Sequence, residues 1–155
     1  MNSIIIRHQI AYQIVEVAKG ALHYLDFDIA KTCYRHMGDA SMVQTLEDFD
    51  DIEDKNLLSG HVYALFDDYN TAQDRFLQSS NPLAALDMHM DLLQWDAAQK
   101  LAGQMAPERL PKITLEYALD LELQGDHENA LTMFQNASTS TQDRRIQAGL
   151  ARCSM

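Results

Sequence analysis

A chain of 155 residues with 23 acidic and 12 basic side chains, a formal net charge of -11, is a poor match for nucleic acid, whose phosphate backbone selects clustered Lys and Arg. Two widely separated cysteines, Cys33 and Cys153, leave no basis for a disulfide scaffold and fit a reducing cytosolic setting. Arg7 and His8 interrupt the run Ile4-Ile5-Ile6, and nothing approaches the ~20 apolar residues of a membrane span, so neither a signal-peptide core nor membrane insertion is expected.

The first predicted helix covers about 7–25, with Ile10, Ile14, Val17, Ala18, Ala21, Leu22 and Leu25 at helical spacing. Asp26 or Asp28 can cap its successor, which ends near Met37-Gly38, where glycine supplies a left-handed C-cap. A short third helix after Asp39 carries Met42, Val43 and Leu46 and leads into an acidic stretch, Asp48 to Asp54. Helices follow at about 53–66 and 69–77. Ser79-Ser80-Asn81-Pro82 marks a boundary, since Asn caps and Pro fits a first helical turn. Helices at about 82–93 and 95–105 form the next hairpin, closed by Ala106-Pro107. Pro111 opens a helix to Leu123, Gly125 ends it, and Asp126 begins one to about Ala137. The run Ser138 to Thr141 reads as a loop before a last amphipathic helix with Ile146, Leu150 and Ala151. No segment alternates as a half-buried strand would.

Four stretches share one small pattern: a polar residue, an aromatic or His, two more residues, then alanine. They are Asp26 to Ala30, Asp68 to Ala72, Gln94 to Ala98 and Asp126 to Ala130. Tyr34, Phe76 and Phe134 follow three of these alanines by one helical turn, placing small and large side chains one above the other. Gly60, Tyr63, Ala72 and Phe76 also meet the tetratricopeptide spacing, although Asn56 and Ser59 stand where its leading Trp and Leu would be. The closing part recurs as Ala130, Phe134 and Ala137, and the shorter interval from Ala72 to Ala98 makes the array irregular. The expected fold is all-α, stacked antiparallel helix pairs of a tetratricopeptide-like α-solenoid. Residues 1–155 form a single helical-repeat domain in this reading, with Gly60, Tyr63, Ala72, Phe76, Ala98, Ala130 and Phe134 as the repeat-packing residues.

No catalytic constellation is expected. The acidic cluster Asp48, Asp50, Asp51, Glu53 and Asp54 lacks the mid-loop glycine and terminal glutamate of a calcium loop and reads as a solvated turn. Cys33 and His36 share a helical face, but no second pair stands at zinc-finger spacing, so packing is the reading taken. His89 reads as an ordinary hairpin position, and His61 has no catalytic role. There is no nucleophile elbow, phosphate loop or Ser/His/Asp order, hence no catalytic, cofactor or metal residues. Tyr34, Tyr63, Phe76, Trp95, Tyr117 and Phe134 read as inter-helix packing, with Trp95, at a helix start, also a candidate anchor for a partner. The apolar segment Ile4 to Ile14 is expected to expose a repeat end that favours self-association or an assembly contact.

Ordered runs at Ile52 to His61, Asp68 to Asp74, Asn81 to Met88, Asp91 to Asp96, Leu101 to Pro111, Glu116 to Ala118 and Leu121 to Asp126 closely resemble part of the intraflagellar transport protein 144 family. These are the WD-repeat subunits of intraflagellar transport complex A. The resemblance implies a non-catalytic helical scaffold segment bound to other complex A subunits in retrograde ciliary transport, located in cytoplasm, cilium and basal body. Family members carry N-terminal propellers and a longer helical array, so this chain is expected to be a fragment of a longer solenoid or a reduced paralogue. The alternative is a free-standing helical-repeat adaptor binding a partner's peptide motif. With mainly Lys55, Asn56 and Lys112 on its A-type helices, the chain has few residues for an acidic peptide, which favours scaffolding.

Overall fold

The computed structural model describes residues 2–139 and 142–154, with side chains from Ile5 onward. In chain order the helices are α1 (Asn2–His23), α2 (Phe27–Met37), α3 (Ala40–Glu47), α4 (Lys55–Leu65), α5 (Tyr69–Leu77), α6 (Leu83–Asp91), α7 (Trp95–Met105), α8 (Leu110–Leu123), α9 (His127–Ser138) and α10 (Arg144–Cys153), with a 3₁₀ turn at Pro107–Arg109. The fold is all-α, and no strand occurs among the described residues. Ser140 and Thr141 of the expected loop lie outside them, and Ser138 is the last residue of α9.

Among the described residues one turn recurs five times. Leu25, Gly38, Asp67, Leu93 and Gly125 have φ between 55 and 83°, each directly after a helix C-terminal turn. At each, the left-handed residue's N–H bonds the carbonyl three back, as Gly125 to Glu122 at 3.0 Å, and the next residue's N–H bonds the carbonyl five back, as Asp126 to Leu121 at 2.9 Å. This is the Schellman pattern that satisfies the last carbonyls of a helix. The next residue then serves as N-cap of the following helix. Asp26, Asp39, Asp68 and Asp126 accept from the backbone N–H of Ile29, Met42, Thr71 and Asn129. The opening aspartate of the repeated sequence pattern is therefore a cap, and its alanine is a packing position: Ala30, Ala72, Ala98 and Ala130 are all fully buried.

The chain divides into two compact units, residues 1–85 and 86–155. In the first, α1 packs on α2 and α4, α2 on α3, and α4 on α5. Its core joins Ala21, Leu22, Ala30, Leu46 and Val62, with Leu25, Phe27, Tyr34 and Phe49 packed around it. Lys31, buried to 8% exposure, donates to both carboxylate oxygens of Asp50 at 2.9 and 2.8 Å, tying α2 to the segment after α3. In the second unit α8 packs on α7, α9 and α10, and α9 on α10. Leu115, Ala118, Leu121, Ala130, Phe134, Ala137 and Ile146 form its core.

Several boundaries differ from those the sequence suggests. α1 begins before residue 7 and is apolar on two faces: Ala18, Ala21 and Leu22 are buried, whereas Ile10 and Val17 are 50 and 54% exposed. Asp26, not Asp28, caps α2. α6 stops at Asp91 because Leu93 takes the left-handed turn. α10 buries Ile146 and Gly149 but leaves Ala151 exposed.

Candidate functional site

Gly60 lies on α4 under the ring of Phe76 of α5. A Cβ built there would sit 2.5 Å from Phe76 Cδ1 and Cε1, and Phe76 is 1% exposed, so only glycine allows this crossing. Ala72 is fully buried one turn before Phe76. Tyr63, half-buried on α4, meets His23 of α1 edge-on at 5.8 Å between centroids. The second unit has a crossing of the same kind that sequence reasoning missed. A Cβ on Gly149 of α10 would clash with the Cζ edge of the ring of the fully buried Phe134 of α9.

Trp95 starts α7 and is only 9% exposed. Its indole N–H donates to Asp120 Oδ2 on α8 at 2.7 Å, its ring stacks on Tyr117 at 5.7 Å with 18° between planes, and Gln124 donates to the same carboxylate oxygen at 2.8 Å. Tyr117 and Asp120 of α8 and Gln124 at its C-cap fall at i, i+3 and i+7, one helical face, which brings all three to the α7 terminus. Trp95 thus forms the floor of an open groove of about 560 Å³, with Leu93, Gln94, Asp96, Tyr117 and Asp120 around it. Asp120 and Leu93 were not singled out by the sequence. Asp120 pairs with Trp95 from 25 positions away, and no local pattern marks such a pair.

The α7 cap departs from the other turns. Gln94 gives its helix no side-chain hydrogen bond; its Oε1 lies 2.7 Å from Nδ1 of the buried His89 instead.

The acidic stretch is structural where it is ordered by partners. Asp54 accepts from the N–H groups of Asn56 and Leu57 at the start of α4 and from Ser80 N–H at 2.6 Å. The Ser80 bonds, with those from the α4 terminus, hold its pKa down at about 2. Asp50 is taken by Lys31 and Asp48 by Gln44. His61 stacks on Phe49 at 4.9 Å and meets Phe76 edge-on at 5.0 Å, and burial lowers its pKa. Cys33 is half-buried and His36 exposed on α2. Among the described residues no group of three or more His, Cys, Asp or Glu side chains is arranged to hold a metal, and no helix is long and apolar enough to cross a membrane. On α1, Ile5, Ile6, Ile10, Tyr12 and Val17 are exposed; the side chain of Ile4 lies outside the described residues.

The arrangement offers helix faces, an aromatic groove and acidic turns, all suited to protein contacts. Comparison with known proteins agrees with the helical-repeat fold. The family described as "IFT80/172/WDR35/WDR19 TPR domain" matches residues 15–141. WD repeat-containing protein 19 of Homo sapiens is 43% identical over 136 residues, covering 88% of this chain and 10% of that protein. Its Mus musculus counterpart is 42% identical over 143 residues, 90% of this chain and 11% of that protein. WD repeat-containing protein dyf-2 of Caenorhabditis elegans is 42% identical over 120 residues, 77% and 9% respectively. The chain spans about a tenth of the length of these relatives.

Proposed function

This chain belongs to the IFT80/172/WDR35/WDR19 TPR domain family, and from that premise we propose that it is a non-catalytic scaffold segment of intraflagellar transport complex A, contacting other complex A subunits in retrograde ciliary transport. The observation that carries this is the family match over 15–141 together with more than 40% identity to WD repeat-containing protein 19, which also supports the narrower placement in the intraflagellar transport protein 144 branch. Residues 1–155 act in this reading as one helical-repeat domain, a stretch of a longer array, working in the cytoplasm, the cilium and the basal body. The exposed outer face of α1 is the surface for an assembly contact or for self-association.

Physics supports a binding role over chemistry. Binding by a helical-repeat segment needs a rigid surface, and the caps and Gly60–Phe76 crossing supply one without a reactive group. The test is co-purification from ciliated cells of the tagged chain, shown to be helical by circular dichroism. Recovery of other complex A subunits is the expected result; a folded chain that recovers none of them contradicts the proposal.

A further inference from the structure

We propose that the groove between the start of α7 and α8 docks a partner-protein segment presenting an Arg or Lys beside an apolar side chain, with Leu93 as this chain's protruding anchor. The inference rests on the reading of the chain as a protein-binding scaffold and gives that reading a site and a partner chemistry.

Leu93 stands apart from the other left-handed residues of the chain. Among the described residues three non-glycine residues hold φ near 60°, a conformation that costs an L residue free energy. Leu25 is half-buried and packs on the first core, and Asp67 accepts from the Tyr69 hydroxyl at 2.6 Å. Leu93 does neither: the residue is 55% exposed, and it stands in neither of the two core clusters described above. Glycine fills the equivalent position at Gly38 and Gly125, so the turn does not require a side chain there. A large apolar side chain held outward at a strained position on the rim of a groove is what a contact selects and folding does not.

The charge of the groove sets the partner. No Lys, Arg or His lines it, whereas Asp96 and Asp120 do, in a chain of net charge -11. The stacked Trp95 and Tyr117 rings give an aromatic floor, and a guanidinium or ammonium over aromatic rings, with carboxylates beside it, gains both a cation–π and an ionic contact. Trp95 itself is too buried to protrude, so it serves as floor and Leu93 as the apolar contact for the residue next to the cation.

Trp95 is the sole tryptophan in the chain, so its indole N–H resonance reports on this groove alone. The full chain is titrated with a synthetic peptide alternating Arg and Leu, and with the same peptide carrying Glu for Arg. A saturable shift of the indole resonance with the Arg peptide only is expected. Leu93→Gly, which suits the left-handed turn and keeps the fold, should weaken binding about tenfold, and Asp96→Asn about threefold. Equal binding of the Glu peptide, an unmoved indole resonance, or an unchanged affinity of a folded Leu93→Gly chain would each overturn the proposal. The titration contains no complex A subunit, so its result is independent of the co-purification that tests the scaffold reading.

Discussion

The turn joining α4 to α5 and the turn joining α6 to α7 share one backbone path but are furnished by opposite choices. At the first, Asp67 in the left-handed position accepts from Tyr69, Asp68 caps α5 through Thr71, and the helices behind it close on Gly60 and Phe76. Asp67, Asp68, Tyr69 and Thr71 all find their partners locally there. At the second, Leu93 occupies the left-handed position with its side chain in solvent, and Gln94 turns to His89 rather than capping α7. Trp95 binds an aspartate on α8, beyond the hairpin. The contrast teaches that a repeat can keep its backbone while one turn is optimised for folding and another for presenting a surface.

The largest expected effect breaks the α4–α5 side. Phe76→Ala empties the space over Gly60 and should cost about 3–5 kcal/mol, read from the denaturant midpoint of the chain. Ala72→Leu overpacks the same crossing from a fully buried position and should cost about 1–3 kcal/mol; a thermal melt unchanged from the parent would remove Ala72 from the crossing. Asp68→Ala deletes the acceptor for Thr71 N–H and Oγ1 and should cost about 1 kcal/mol, measured by the same unfolding curve.

A smaller effect comes from pH. Burial between Phe49 and Phe76 holds the His61 pKa below its ordinary 6.5, so the unfolded chain takes up a proton more readily than the folded one. Stability should therefore be fully present above pH 6.5 and decline as pH falls below it, and His61→Phe should flatten that decline in melts run from pH 8 to 5. An equally steep decline in the variant would assign the effect to other groups.

Local chemistry explains how much of this could be read in advance. Capping aspartates, the glycines at Gly38 and Gly125, and the 3.6-residue apolar spacing act within a few residues, and they placed nearly all helices. Gly60 and Phe76 were visible because the template spaces them within one hairpin. The crossing of Phe134 and Gly149 was not, since it joins successive hairpins across the segment 139–143 in the reverse order, Phe before Gly. Periodicity marked α1 as apolar but could not say which of its faces packs, and Leu93 looked helical because leucine favours helices until the Schellman turn overrides it. Trp95 was legible as an aromatic at a helix start, its carboxylate partner 25 residues on was not.

Whether Leu93 serves contact or folding is decided by the denaturant midpoint of Leu93→Gly. Relief of the left-handed strain, with little apolar burial lost from a residue 55% exposed, should raise stability by about 1 kcal/mol and move the midpoint upward at unchanged slope. A midpoint that falls would show Leu93 to be a packing residue and would contradict the distinction between the two turns.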